Sequence, residues 1–161
     1  MSQIGRRSGS AERVRRFLER HGLAEGLFEF ETSTKTAQMA ADAIGCELGQ
    51  IVKSLVVVVD GAPVLANVAG DRRGDFGEIA AQQGGSKAKM ADADTVRAAT
   101  GYAIGGVSPF DLPDELTVLI DESLSRFDTV YPAAGTPSSM VCMRLDDLLR
   151  VVDGTVARIS H

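Results

Sequence analysis

The chain has 161 residues, 44% hydrophobic and 24% charged, which is the length and make-up of one globular domain, 1–161, with its first nine residues expected to be flexible. No apolar run approaches the ~18 residues that span a bilayer, and MSQIGRRSGS lacks the apolar stretch of a secretory signal, so a cytoplasmic chain without membrane contact is expected. A net charge of −5 excludes indiscriminate nucleic-acid binding, and the separated Cys46 and Cys142 exclude a zinc knuckle, a redox pair or a disulfide framework.

Six of the 17 basic residues lie within the first 20 positions: Arg6, Arg7, Arg13, Arg15, Arg16 and Arg20. A solvated helix face explains them better than a phosphate-binding arm. Ser10 is the expected N-cap of a helix carrying Val14, Phe17 and Leu18 on one side and ending at Gly22. Leu27, Phe28 and Phe30 indicate a short strand, and Thr36 to Ile44 a small-residue helix closed by Gly45. IVKSLVVVVD and GAPVLANVA form the strongest strand signal, a hairpin turning at Asp60-Gly61. Asp75 and Glu78 make a capping box for a helix that stops at Gly84-Gly85, and a further helix is expected from Asp92 to Ala99. GYAIGGVSPFDLP, from Gly101 to Pro113, has the three glycines and two prolines of a shaped loop. Strands are then expected at Leu116 to Ile120, around Val130, at Met140 to Met143 and in TVARIS, with a helix from Asp146 to Val151. This irregular order predicts a mixed α/β fold of the α+β kind, a barrel-like mixed sheet with peripheral helices.

The two histidines, His21 and His161, are placed where neither serves a triad or a zinc site, and no phosphate-binding loop or dinucleotide fingerprint is present. What remains is Lys53 and the glycine-rich loop. Lys53 interrupts an apolar strand, sharing a face with Leu55, Val57 and Val59 while Ser54 joins Val56 and Val58. Either it snorkels to water from the strand's start, or it is a cleft lysine able to hold a phosphate or orient a carbonyl. Gly101, Gly105 and Gly106 allow close backbone approach and Pro109 stiffens the exit, which serves a structural turn or a nest of N–H donors equally well.

Taken together, KTAQMAADAIGCELGQIVKSLVV, VLANVAGDRRGD, GGSKAKMADADTVRAATGYAIGGVSPF, LIDESLSRFDTVYPAAG and MRLDDLLRVV resemble, in that order, the YbaK/ProX family of aminoacyl-tRNA deacylases, which includes the editing insertion of bacterial prolyl-tRNA synthetases. The resemblance covers Phe30 to Val152. It implies a barrel-like fold and hydrolysis of a mischarged aminoacyl-tRNA ester, assisted by the ribose 2′-hydroxyl, without metal or cofactor. Its partners would be the tRNA 3′ acceptor end and a prolyl-tRNA synthetase. Lys53 matches the family's essential lysine, and Gly105, Gly106, Val107, Ser108 and Pro109 match its GxxxP loop, with Gly105 and Gly106 holding the reacting carbonyl. Ser54, Gly101, Gly135 of the AAG turn and Phe30 are placed at the substrate pocket by the same match. Two departures stand out: TPSSMVCM has no acid where cysteinyl-specific members carry one, and Phe30 occupies the neighbourhood of a family tyrosine. An alanyl or cysteinyl group on a proline-like tRNA is the expected substrate. A non-catalytic module binding tRNA or a synthetase, and a protein acting on another small acyl ester, are the alternatives. Arg72, Arg73, Lys87 and Lys89 are the local candidates for phosphate contact.

Overall fold

The computed structural model describes residues 9–31 and 34–161; Arg6 and Arg7, and most of the expected flexible start, lie outside the described residues. Its elements are α1 (Gly9–Arg20), β1 (Leu27–Glu29), α2 (Ala37–Ile44), β2 (Ile51–Val59), β3 (Ala62–Ala69), α3 (Phe76–Gln82), β4 (Ala88–Met90), α4 (Ala93–Thr100), β5 (Thr117–Asp121), β6 (Thr129–Pro132), β7 (Ser139–Val141), β8 (Met143–Arg144), α5 (Leu145–Val151) and β9 (Thr155–Ala157). Short 3₁₀ turns at Ala24–Gly26, Leu48–Gln50 and Glu122–Arg126 join some of them.

Local chemistry sets the ends of these elements. Thr36 accepts a hydrogen bond from the Met39 N–H and Asp92 one from that of Thr95, each satisfying a free amide in a first helical turn. Gly45 and Gly101 close the same helices in left-handed conformation, at φ of 82° and 80°. Asp75 caps α3 through the Glu78 N–H. Asp60 and Gly61 both take positive φ, 47° and 89°, the geometry that lets a two-residue turn follow the strand twist. Ser10 lies inside α1 instead of capping it, because the helix already runs from Gly9. The TVARIS strand shortens to Thr155–Ala157, with Ser160 bridging singly to Gly74.

Seven strands form one curled, half-barrel sheet in the order β8-β6-β2-β3-β5-β9, with β4 also paired to β2. The β2–β3 hairpin is antiparallel, whereas β2–β6, β3–β5 and β5–β9 are parallel. The mixed α+β, barrel-like architecture expected from the chain order is the one observed. Both faces of the sheet are covered. Val52 and Val56 pack with Val14 and Leu18 of α1, Val96 of α4 and Leu148 of α5; Val57 and Val59 pack with Ile79 and Ala80 of α3 and with Ile159. That two-sided burial is why Val56–Val59 is unbroken valine. A third cluster joins Ala40 and Ala41 of α2 to Ile51 and Met140.

Candidate functional site

The site originates in a gap along one edge of β2. On that edge β6 pairs with Ile51 and Val52, and β4 with Val57 to Val59. No strand among the described residues covers 53–56 between them. The Val56 carbonyl accepts from the Ala91 N–H at 3.0 Å, so it points toward this edge. Main-chain groups alternate along a strand, so the Ser54 N–H and C=O point the same way, into the opening. A cavity of about 410 Å³ occupies the space, bounded by Lys53 to Val56, the N-terminal end of α2, and residues from the glycine-rich loop and the turn before β7.

Lys53 sits half-buried beside the opening, and its Nζ donates to the Arg72 carbonyl at 2.5 Å. Burial depresses its pKa, the nearby Arg73 lowers it further, and Asp71 opposes both. Asp71 is itself engaged by Arg126 in a two-pronged ion pair at 2.9 and 2.7 Å. On the opposite strand face, the Ser54 hydroxyl donates to Asn67 Oδ1 at 2.8 Å, and buried Asn67 donates to the Leu119 carbonyl at 3.2 Å. Arg72 and Arg73 therefore lie next to Lys53. Lys87 and Lys89 line a separate groove with Asp60 and Phe76, away from it.

The loop from Gly101 to Pro113 is held at both ends. Thr100 Oγ1 accepts from the Tyr102 N–H at 3.0 Å, and the buried Tyr102 hydroxyl donates to the Phe110 carbonyl at 2.5 Å. Burial pushes the Tyr102 pKa up to about 12, so the phenol keeps its donor proton. From α1, Arg13 stacks 4.2 Å over the Tyr102 ring and donates from Nε to Asp111 Oδ2 at 3.0 Å and from Nη2 to the Asp111 carbonyl. Arg20 reaches the same carboxylate at 3.7 Å. Two of the basic residues clustered in the sequence thus brace this loop, while Arg15 and Arg16 pair with Glu12.

Gly106 is packed against the AAG turn: a Cβ there would stand 2.9 Å from the Gly135 carbonyl oxygen and 3.1 Å from Thr136 Cα. Gly135, at φ +97°, has the Ser10 carbonyl oxygen 2.8 Å from its own Cβ position. Three backbones therefore stack without intervening side chains, which fixes the loop relative to the sheet. The Gly106 N–H is spent on the Ala103 carbonyl at 3.0 Å. The amides of Gly105 and Val107 have no acceptor among the described residues, and both residues line the cavity.

Of the residues singled out in the sequence, the cavity wall holds Lys53, Ser54, Gly105 and Val107. Gly106 and Gly135 stand immediately behind it. Ser108 is buried, with its Oγ 3.4 Å from the Phe110 N–H, and Pro109 opens onto a different groove. Gly101 caps α4, and Phe30 packs edge-on to Phe28, 5.4 Å between ring centroids. Sequence reasoning passed over Lys35, Thr136 and Ser139, which also line the cavity. Their only signal was proximity to the α2 cap and the AAG turn. The wall carries no carboxylate, imidazole or thiol among the described residues. Nor do those residues include any group of three His, Cys, Asp or Glu side chains able to hold a metal.

Residues 31–151 match the family described as the aminoacyl-tRNA editing domain. The chain belongs to that family. It is accordingly an aminoacyl-tRNA deacylase, whose substrate is an aminoacyl ester on tRNA. It is 43% identical over 114 residues to the Bacillus subtilis protein YwhH, spanning 70% of this chain and 72% of that one. Enterococcus faecalis EbsC, named as a candidate Cys-tRNA(Pro)/Cys-tRNA(Cys) deacylase, is 27% identical over 90% of each chain. The multifunctional Ser/Thr-tRNA deacylase ProXp-y of Escherichia coli K12 is 29% identical over 94% of this chain and 93% of its own. A crystal structure described as a candidate trans-editing enzyme for prolyl tRNA synthetase superposes with a TM-score of 0.86 at 38% identity, covering 94% of this chain and 97% of that one. No helix among the described residues is long and apolar enough to cross a membrane.

Proposed function

We infer that this editing domain, one domain over residues 1–161, acts in trans in the cytoplasm, removing a small amino acid from mischarged tRNA of the alanyl- or cysteinyl-tRNA(Pro) kind, with a prolyl-tRNA synthetase as its partner. The observation that carries the reading is a cavity whose wall combines Lys53, the open edge of β2 and the loop residues Gly105 and Val107, yet offers no general base. The relatives cited above are named for cysteinyl and for seryl or threonyl removal, all short side chains, which supports a small amino acid here.

In this mechanism the terminal adenosine enters with its ester carbonyl against the glycine-rich loop. The unpaired amides of Gly105 and Val107 are suited to receive the oxyanion that forms when water attacks the carbonyl. Lys53 has two ammonium protons beyond the one given to Arg72, and these serve the phosphate or ester region. The Ser54 carbonyl is a natural acceptor for the substrate's α-ammonium. The ribose 2′-hydroxyl orients the attacking water, the acyl–oxygen bond breaks, and the 3′ oxygen leaves with a proton to regenerate the tRNA terminus. Positioning and electrostatics suffice because the aminoacyl ester is already activated.

The test is a deacylation time course against a panel of mischarged tRNAs, with and without prolyl-tRNA synthetase, using Lys53→Ala as control. Selective hydrolysis reduced about 10²–10³-fold in the variant is expected, the range for losing one preorganised electrostatic partner. Binding without hydrolysis, even with synthetase present, would replace the enzyme by a tRNA- or synthetase-binding module. Turnover of small acyl esters but not of tRNA would favour the remaining alternative.

A further inference from the structure

Asn67 is a buried amide in the middle of an apolar sheet. It lies on β3, which β2 and β5 flank; its chain neighbours Ala66 and Val68 are fully buried, and it is itself only 1% exposed. An apolar residue would fill the position without the cost of desolvating an amide. Asn67 pairs in register with Ser54, so the two side chains share the sheet face that carries Val52, Val56 and Leu65. The Leu119 carbonyl sets the amide's orientation. It accepts from Asn67 Nδ2 at 3.2 Å, whereas the flipped amide would bring Oδ1 there and oppose two acceptors. Oδ1 therefore faces Ser54, and because Oδ1 can only accept, the Ser54 hydroxyl must donate to it, at 2.8 Å. That bond commits the one proton of Ser54 Oγ and leaves its lone pairs. No group among the described residues donates to this oxygen.

Ser54 is half-buried on the cavity wall, and its main-chain carbonyl points into the gap along β2. It thus offers the cavity two acceptors, Oγ and the carbonyl oxygen, and no side-chain proton. Lys53 and the amides of Gly105 and Val107 supply donors on the same wall. That division matches an aminoacyl ester, whose carbonyl oxygen accepts and whose α-amino group, one carbon away, donates. We propose that Asn67 is a positioning residue that holds Ser54 Oγ as an acceptor for the substrate's α-amino group, so that the pocket selects acyl groups with a free α-amino N–H over the same groups without one. This selectivity rests on the placement of the ester at the cavity and goes beyond it. The group it reads is common to amino acids of every side chain and separates aminoacyl esters from other acyl esters. An analogue lacking the amino group leaves a desolvated acceptor unpaired, which is the source of the discrimination.

The experiment acylates one tRNA with alanine and, separately, with propionate, which differs only in lacking the amino group. It measures kcat/KM for the wild type, Ser54→Ala, Asn67→Val and Asn67→Asp, each value divided by the spontaneous hydrolysis rate of the same ester, because an ammonium group activates its own ester. The wild type is expected to favour alanyl over propionyl by about tenfold or more. Ser54→Ala should lower that preference about tenfold, and Asn67→Val, which frees the hydroxyl proton to turn toward the amino group, about threefold or more. Asn67→Asp should retain it, because a carboxyl accepts from Ser54 whether or not it is protonated. A purely structural role for Asn67 would lower both rates together and leave the ratio unchanged. Thermal unfolding of every variant establishes that the fold is intact. Equal corrected rates for the two esters in the wild type, a ratio unmoved in Ser54→Ala or in Asn67→Val, or a ratio lowered equally by Asn67→Asp and Asn67→Val overturns the proposal. Those outcomes leave the deacylase standing; hydrolysis of neither ester removes the alanyl reading along with this selectivity.

Discussion

Replacing Gly106 with alanine tests how closely the glycine-rich loop must be held. The added methyl would stand 2.9 Å from the Gly135 carbonyl oxygen, half an ångström inside the 3.4 Å at which ordinary contact begins. Gly135 has little room to give way, because the Ser10 carbonyl oxygen lies 2.8 Å and Val14 Cγ2 3.1 Å from its own Cβ position. The loop must therefore move, carrying Gly105 and Val107 with it. Overpacking of this kind costs about 1–3 kcal/mol. For a chain of this size each kcal/mol lowers the melting temperature by about 2–4 °C. The catalytic effect is the sharper readout: a misplacement of about 1 Å costs roughly 10²-fold, so half that displacement predicts about a tenfold fall in single-turnover deacylation. Gly105→Ala is the comparison. Its Cβ meets nothing nearer than Pro137 Cγ at 4.0 Å, and only its φ of +89° penalises the substitution. A Gly106→Ala enzyme that melts lower yet deacylates within twofold of wild type would refute the idea that the loop's position against the AAG turn sets the rate.

Tyr102→Phe leaves the buried Phe110 carbonyl without its donor and should destabilise the protein by about 1–3 kcal/mol, measured by denaturant unfolding. Arg13→Ala removes a half-exposed ion pair and a stacked cation together, an expected loss of about 1–2 kcal/mol, with a fall in deacylation because the loop loses its brace; an unchanged rate would limit Arg13 to stability. Burial and Arg73 lower the Lys53 pKa from the ordinary 10.5, so in the folded protein Lys53 sheds its proton first as pH rises. Its unfavourable contribution to folding is full below the folded pKa and is relieved between that value and 10.5, where the unfolded chain holds more protons. Activity should run the opposite way: the Lys53-dependent rate, corrected for spontaneous ester hydrolysis, falls on an alkaline limb below pH 10.5, and Lys53→Arg shifts that limb upward.

Much of this molecule was legible wherever the governing interaction spans a few residues. The Thr36 and Asp92 caps are satisfied three residues downstream, the Asp60-Gly61 turn is set by its own torsions, and the alternation that puts Lys53 and Ser54 on opposite faces follows from a period of two. The recognised loop and lysine did meet at one cavity. Only the tertiary structure decided which partners those elements would find. β4 is three residues long with two of them exposed, so it carries no periodic signal and exists because the β2 edge accepts it. The gap at 53–56 depends on where β4 and β6 stop. The Arg13–Asp111 brace joins residues 98 apart. Thr136 and Ser139 reach the cavity wall only because their turn packs against Gly106. Backbone torsions and first-turn hydrogen bonds are written in neighbouring residues, whereas the faces and edges that meet are selected by burial summed over the whole chain.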